Sequence, residues 1–171
     1  MFRLSNFQLA FTWPPRLGSN LPDGPQLVDE LKRMIRSARY SIVLYFYNIN
    51  SSNNFLLARE LHLAISEREI PVRLFCDSRT EARRMLDTFR TSRSEISAWY
   101  WDDPEHEKSK FHIKSIVVDG RKLYIGSANL SETAMKYSAE CGLFVTDPNA
   151  SKQLENYSEL LINSGLLREV R

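Results

Sequence analysis

The chain has 171 residues, of which 43% are apolar and 26% are charged, with 23 basic against 21 acidic side chains. This length and balance exclude a disordered chain and indicate one globular domain, residues 1–171, that buries a core without disulfides or structural metal. The net charge of +2 permits a polyanionic substrate but does not require one.

The first half of the sequence alternates helical and strand patterns. Residues 1–24 contain scattered prolines and glycines and predict a loosely structured N-terminal segment. The stretch 41–49, SIVLYFYNI, is almost wholly apolar, as expected for a strand that is covered on both faces. The predicted elements are a helix from Pro25 to about Ala38, a strand over 41–49, a helix over 55–67, a strand over 71–77 and a helix over Arg79–Phe89.

The second half predicts a hairpin and a closing helix. Asp119-Gly120 separates two apolar runs and is a strong signal for a tight turn. Alternating helices and strands followed by a hairpin indicate an α/β fold, with a mixed β-sheet sandwiched between helices. The predicted elements are an edge strand over Ile96–Trp101, a polar loop over 102–109, strands over 111–118, 122–127 and 140–146, and a helix over Pro148–Asn163.

The two cysteines bear on the compartment. Cys76 and Cys141 both lie in apolar segments that are predicted to be buried strands, and either a disulfide or two reduced thiols fits them. We favour two buried thiols in a reducing cytosol. No charged leader with an apolar run opens the sequence, and nowhere do 18 apolar residues follow one another, so we expect a cytoplasmic protein without stable membrane association.

The residues that carry chemistry lie in 111–129, FHIKSIVVDGRKLYIGSAN. His112 and Lys114 are two positions apart on a predicted strand, so both side chains point to the same face. If Asp119-Gly120 is a two-residue loop, His112 pairs with Ser127, and Asn129 lies one step further on the same face. Directly opposed Cβ atoms lie about 5 Å apart. The sequence therefore predicts that a nucleophile, a cation, a hydroxyl and an amide converge.

This cluster suits phosphoryl transfer. A neutral imidazole is a good nucleophile toward phosphorus, and the Lys114 ammonium neutralises phosphoryl oxygens. Ser127 and Asn129 add hydrogen-bond donors for the same oxygens. Asp119 lies on the opposite parity from His112, and no second histidine has ligand spacing to His112. We therefore expect no metal and no cofactor.

The spacing of these residues resembles the signature of the phospholipase D superfamily. His112-x-Lys114, four residues, Asp119, six residues and Gly126-Ser127-x-Asn129 match that signature, and Glu140 falls where the family keeps an acidic residue after it. The resemblance covers residue 40 to about residue 147. It implies a phospholipase-D-like fold and a metal-independent phosphodiesterase.

The resemblance also implies a role for each catalytic residue. His112 is similar to the nucleophile that forms a phosphohistidine, and Lys114, Ser127 and Asn129 are similar to the phosphate-binding groups. Glu140 resembles the carboxylate that orients and polarises a catalytic histidine. Asp119 resembles the motif aspartate, whose role is mostly architectural, because it fixes the hairpin and its salt links.

Only one copy of the motif is present, whereas enzymes of this family need two histidines, one to attack and one to protonate the leaving oxygen. His106-Glu107-Lys108 imitates the beginning of a second copy, but neither the aspartate nor the Gly-Ser-x-Asn run follows it. Short single-motif members of the family complete the site by dimerising. The resemblance therefore implies a homodimer in which the two His112 side chains meet across a two-fold axis.

Three functional classes remain open: a nuclease acting on DNA or RNA, a phospholipid phosphodiesterase, and a non-catalytic nucleic-acid-binding module. We favour the nuclease, because short soluble members of the superfamily with one motif are mostly nucleic-acid phosphodiesterases. A narrower resemblance, carried by SANLS and by SELLINSGLLREV near the C-terminus, is to the phospholipase-D-like component of bacterial DISARM-type phage defence, which implies defence-system protein partners. The substrate-binding candidates are Lys110, Lys122, Arg79 and Arg83.

Overall fold

A computed structural model of the chain describes residues 7–21, 23–48, 57–89 and 95–170. Eight strands in these residues form a single sheet. The strands are β1 Phe7–Phe11, β2 Ile42–Phe46, β3 Val72–Cys76, β4 Ile96–Trp101, β5 Lys114–Val118, β6 Lys122–Gly126, β7 Cys141–Thr146 and β8 Leu167–Glu169.

The sheet is mixed. Its strand order is β1-β7-β6-β5-β2-β3-β4-β8, in which β2, β3 and β4 run parallel and all other neighbours run antiparallel. Parallel strands need crossover connections, and helices supply them here. The predicted mixed sheet is confirmed.

Helices cover both faces of the sheet. One core contains side chains of the first four helices against one face, and a second contains the last helix against the other. All five residues of β2 are buried for this reason, as its apolar sequence predicts. The helices are α1 Leu27–Arg36, α2 Ala58–His62, which continues as a π-turn over Leu63–Glu67, α3 Arg79–Phe89, α4 Glu132–Lys136 and α5 Pro148–Asn163.

The N-terminal segment differs from its prediction. Residues 1–24, expected to be loosely structured, contain strand β1, which pairs antiparallel with β7 and forms one edge of the sheet. A short 3-10 turn, Pro15–Leu17, follows it. The prolines correctly predict an irregular connection around that turn, but they do not predict the strand that precedes it. Residues 1–6 and 22 lie outside the described residues.

The predicted edge position of Ile96–Trp101 is wrong. The strand itself has the predicted bounds, but the three-residue strand β8 pairs with its outer side, with Trp99 opposite Glu169 and Trp101 opposite Leu167. So short a strand lacks a recognisable alternation pattern, because it is little longer than one period. The predicted helix over 55–67 forms from residue 58 onward, and position 55 lies outside the described residues.

The hairpin register also differs from the prediction. Val118 pairs with Lys122, not with Arg121, so three residues join the paired positions. The Arg121 N–H closes the turn on the Val118 carbonyl, but its own carbonyl accepts a hydrogen bond from the Asp147 N–H, which draws Arg121 toward β7. One extra residue reverses the parity of everything beyond it.

Two further consequences reach the catalytic segment. The β5 ladder begins at Lys114, so His112 precedes the strand instead of lying within it. The predicted direct pairing of His112 with Ser127 is therefore wrong, since the register places Ser115 opposite Ile125 and ends there.

The prediction of two buried thiols is half right. Both cysteines are free, but Cys76 is buried whereas Cys141 is exposed. Burial raises the pKa of the Cys76 thiol to about 12.

Candidate active site

The predicted catalytic segment lies at the edge of the sheet where β2 and β3 end. Lys114 pairs with Phe46, the last residue of β2, so His112 lies just beyond the carboxyl end of that strand. The carboxyl ends of parallel strands are where α/β sheets place their ligands. His112 is exposed at this edge, whereas Lys114 is only 7% exposed.

His112 and Lys114 form a direct pair. The Lys114 Nζ lies 3.0 Å from His112 Nδ1 and 2.9 Å from the His112 carbonyl oxygen. An ammonium group has donors only, so Nδ1 accepts and the proton of the neutral ring lies on Nε2. Burial lowers the pKa of Lys114, and the charge of Glu140 partly opposes this by raising it. In this pair the imidazole of His112 is exposed to solvent, whereas the ammonium of Lys114 is buried beside it.

Tyr47 completes this pair from the end of β2. Its ring centroid lies 4.8 Å from that of His112, and the Lys114 Nζ lies 5.2 Å from the centroid of the same tyrosine ring. The sequence pattern favours a core or edge aromatic at this position and misses the contact. The available signal is its place, directly after the carboxyl end of a buried strand, where side chains reach the site edge.

Ser127 and Glu140 form a second pair at the same edge. The Ser127 hydroxyl donates a short hydrogen bond to Glu140 Oε2 and accepts one from the Cys141 N–H at 3.2 Å. The Ser127 N–H in turn donates to the Cys141 carbonyl at 3.1 Å, which holds the end of β6 against the start of β7. Glu140 therefore contacts Ser127, and its charge acts on Lys114. Its role in orienting a histidine remains a prediction.

A buried tyrosine forms the floor below this pair and explains the motif glycine. A Cβ atom at Gly126 would overlap the Tyr124 hydroxyl, and one at Gly142 would overlap the same ring. Since Gly126 pairs with Gly142, only a side-chain-free pair leaves room for Tyr124. Burial, reinforced by the charge of Glu140, raises the pKa of Tyr124, so its hydroxyl stays neutral.

Asn129 is half-buried just beyond β6. Its backbone carbonyl accepts a hydrogen bond from the Ser131 N–H at 2.9 Å, in the turn that leads into α4. Its side-chain Oδ1 is buried and has no hydrogen-bond partner among the described residues. A buried acceptor left without a partner costs about 1–3 kcal/mol. The Asn129 side chain therefore has a buried hydrogen-bond acceptor that none of the described residues uses.

Asp77, at the end of β3, anchors the segment that precedes His112. Its Oδ1 accepts a hydrogen bond from the Phe111 N–H at 2.8 Å, and its Oδ2 lies 3.7 Å from Lys110 Nζ. Sequence reasoning does not select Asp77. The structure brings Lys110 to the site edge, where it remains about half exposed, and its substrate-binding role remains a prediction.

Two predicted site residues lie at the opposite end of the hairpin. Asp119 follows the last residue of β5, roughly 20 Å from His112 at the usual rise of a strand. Its carboxylate accepts hydrogen bonds from the N–H groups of Arg39, Tyr40 and Ser41 at 2.7–3.1 Å. These hydrogen bonds join the turn to the segment before β2, and the architectural role of Asp119 remains a prediction. Lys122 donates to Ser37 Oγ at 2.7 Å at this same end, so it lies far from the phosphate pocket proposed for it.

The remaining candidates from the sequence are Arg79, Arg83 and His106. Arg79 begins α3 directly after β3, at the site edge, and its guanidinium lies 5.8 Å from the centroid of the Tyr100 ring. Arg83 is exposed one helical turn further along. His106, the imitation of a second motif, is 73% exposed and lies 3.3 Å from Asp103 Oδ1. Within the described part of the chain, no group of three or more metal-ligating side chains is found.

Comparison with known protein families shows to which family the chain belongs. Residues 31–162 match the family described as "Cardiolipin synthase, PLD-like domain". The chain belongs to this phospholipase D-like family. No curated protein shows significant sequence similarity to it.

Several solved structures resemble this phospholipase D-like fold. NucT from Helicobacter pylori is 17% identical over 92% of this chain and 97% of its own, with a TM-score of 0.66. Nuc from Salmonella typhimurium, a phospholipase D family member, is 18% identical over 96% and 97%, also with a TM-score of 0.66. The phosphatidylserine synthase of Haemophilus influenzae Rd KW20 is 15% identical over 96% of this chain and 39% of its own, with a TM-score of 0.69.

These comparisons establish the family and the fold. The phospholipase D-like family supports a phosphodiesterase-type activity for the chain. None of the helices in the described ranges has the length and apolar character needed to cross a membrane.

Proposed function

We propose that this phospholipase D-like chain is a metal-independent nuclease that attacks the phosphodiester with His112 and works as a homodimer. The observation that carries the proposal is the contact between an exposed imidazole and a buried ammonium, the Nδ1–Nζ pair of His112 and Lys114. A phosphate that reaches this edge meets a nucleophile and a cation at the same place. The low exposure of Lys114 strengthens its attraction for the phosphate, because water screens it less.

The reaction has two displacements. An unprotonated nitrogen of His112 attacks phosphorus, a P–N bond forms, and the P–O bond to the leaving group breaks. A second imidazole, protonated at the start, gives its proton to the leaving oxygen. Water then attacks phosphorus, the second imidazole takes a proton from that water, and the P–N bond breaks to restore His112. Lys114 holds the phosphoryl oxygens during both steps, and Ser127 joins it when its hydroxyl proton turns from Glu140 to the phosphate.

A second copy of the chain supplies the second imidazole. The described residues contain one copy of the motif, and neither His106 nor His62 lies in a motif context. His112 is exposed, and this exposure supports a site that is completed from outside, with one His112 on each side of a two-fold axis.

Nucleic acid is the substrate class that we favour. Lys110 and Arg79 lie at the site edge and add positive charge next to Lys114. Such charges bind a phosphate backbone without regard to sequence. A role in DISARM-type defence, with protein partners, rests on the narrower sequence resemblance and remains a prediction.

A phospholipid phosphodiesterase is the second candidate, because the matching family is named for cardiolipin synthase and one similar structure is a phosphatidylserine synthase. One experiment separates the two. Purified protein and its His112→Ala variant are incubated with single-stranded DNA, double-stranded DNA, RNA and phosphatidylcholine vesicles. We expect His112-dependent cleavage of a nucleic acid. His112-dependent release of a lipid head group, with intact nucleic acids, would establish the lipid alternative instead.

A further inference from the structure

A basic cleft lies at the end of the molecule opposite His112. It has a volume of about 750 Å³ and lies where the loop after α1 meets the turn between β5 and β6. The start of β2 marks this end, because Ile42 pairs with Val118 while Phe46 pairs with Lys114 at the catalytic edge. Five cationic side chains line the cleft: Arg36, Arg39, Arg68, Arg121 and Lys122.

Positive charge predominates in this cleft. Asp119 is the one acidic residue among the described residues that line it, and backbone N–H groups occupy its carboxylate. Within the described part of the chain, Arg36, Arg39 and Arg121 form no ion pair with a carboxylate. The whole chain carries a net charge of only +2, so a cleft with five cations and one carboxylate is a strong local concentration of positive charge.

Two of the five cations have structural duties. Arg68 donates to the carbonyl oxygens of Arg36 and Ala38 at 2.9 and 2.8 Å, and so closes the C-terminal end of α1. Lys122 donates to Ser37 Oγ at 2.7 Å. Arg36, Arg39 and Arg121 are exposed and have no comparable duty among the described contacts. Their guanidinium groups are therefore available to a ligand, and planar guanidinium groups match phosphate oxygens well.

An exposed aromatic residue lies among these arginines. Tyr40 lines the cleft and is 74% exposed, although its backbone N–H is held at 2.7 Å by Asp119. A flat ring on a fixed backbone, surrounded by cations, is the arrangement that binds single-stranded nucleic acids, since bases stack on aromatic faces while cations hold phosphates.

We propose that this cleft is a second binding site for a nucleic-acid strand, separate from the catalytic edge. The inference rests on the proposed nuclease function, because it assigns the cleft to the same polymer. A strand that occupies both sites extends over roughly 20 Å, the length of β5 and its flanking residues. In the proposed dimer the two clefts lie at the outer ends, so each protomer holds the strand beyond the shared site and increases its residence there.

Binding measurements in a cleavage-deficient background test this site apart from catalysis. The parent is His112→Ala, and the test variant adds Arg36→Gln, Arg39→Gln and Arg121→Gln. The matched control adds Arg16→Gln, Arg59→Gln and Lys152→Gln, three exposed cations elsewhere on the surface. Affinity for a fluorescent 30-nucleotide single strand is measured by anisotropy between 50 and 200 mM salt. Thermal unfolding verifies the fold, and Arg39→Gln alone replaces the test variant if that variant does not fold.

The cleft variant is expected to bind at least about tenfold more weakly at the lowest salt, and its salt slope falls by about two, the value for three lost phosphate contacts on a single strand. Lysine at the same three positions retains most of the slope, and the control variant stays close to the parent. An unchanged slope and affinity in the cleft variant would overturn the inference. So would unchanged nucleic-acid binding with a loss of binding to phosphatidylglycerol vesicles, which would assign the cleft to a membrane surface. Because none of these readouts requires turnover, they do not depend on whether the enzyme cleaves nucleic acid.

Discussion

The Lys114 ammonium lies 3.0 Å from Nδ1 of His112 and 2.9 Å from the carbonyl oxygen of the same histidine. This contact orients the ring in the free site and keeps Nδ1 occupied. An incoming phosphodiester competes for the ammonium, since its two non-bridging oxygens share a negative charge and the neutral imidazole has none. In the proposed mechanism, phosphate binding would thus weaken the contact to Nδ1 and free the ring for attack.

Substitution of His112 by alanine should abolish turnover and leave the fold intact. The side chain is exposed, so its removal leaves no cavity, while attack and leaving-group protonation both depend on it. We expect kcat/KM to fall by at least ~10³-fold, with thermal unfolding close to that of the wild type. His106→Ala is the matched control, because His106 is exposed but outside the motif. Near-wild-type turnover by a folded His112→Ala protein would exclude the histidine from catalysis.

Activity should survive removal of divalent metals. In the proposed mechanism the positive charge at the phosphate comes from Lys114, whose ammonium needs no metal to supply it. We expect the same initial rate in excess EDTA as in its absence. Loss of activity in EDTA and recovery on addition of Mg²⁺ would show that the cation is a metal.

The alkaline side of the pH profile should report Lys114. Burial lowers the pKa of this lysine, so the active charged form is lost below the ordinary pKa of lysine as the pH rises. The effect on stability has the opposite sign: the unfolded chain binds the proton more tightly, so this group stabilises the fold as the pH rises from the lowered pKa to the ordinary one. We therefore expect kcat/KM to fall within that window without a loss of stability from this group.

Glu140 provides the sharper test of this assignment. Its charge raises the pKa of Lys114, so Glu140→Gln should move the alkaline limb to lower pH. Glu132→Gln is the control, because Glu132 pairs with Lys136 at 2.7 Å on a surface helix. A limb that stays in place in Glu140→Gln would mean that another group titrates there.

Asp119 should affect stability and leave catalysis almost unchanged. Its carboxylate binds three backbone N–H groups at a φ of 55°, a conformation that glycine adopts without strain. Asp119→Gly therefore removes the acceptor without introducing backbone strain, and we expect it to reduce the free energy of unfolding by about 1–3 kcal/mol. Asp119→Asn, which keeps one acceptor, should lose less, and Asp87→Asn controls for charge. A large fall in kcat with unchanged denaturation would place Asp119 in the chemistry instead.

The sequence predicts the fold and the family well, because both depend on local patterns. The apolar run around Tyr45 predicts a strand buried on both faces, and the motif from His112 to Asn129 predicts the family. The exact pairing is harder, since the register depends on one carbonyl, that of Arg121, which turns toward Asp147. No local pattern encodes that long-range hydrogen bond.

For the same reason, the sequence does not identify residues whose place at the site depends on tertiary contacts. Tyr47 reads as a core aromatic, and Asp77 reads as a strand-end carboxylate, yet the fold brings both to the segment of His112. Lys122 shows the converse case. It flanks the motif in sequence, but the hairpin carries it to the far end, where it contacts Ser37.

The dimeric site is the central claim, and subunit mixing tests it most directly. Wild-type and His112→Ala chains with different tags are mixed, exchanged to equilibrium and assayed at fixed total protein. A heterodimer has one catalytic histidine and lacks either the nucleophile or the acid, so activity should fall with the square of the wild-type fraction. A fall that is linear in the wild-type fraction would show that each chain acts alone and would contradict the account.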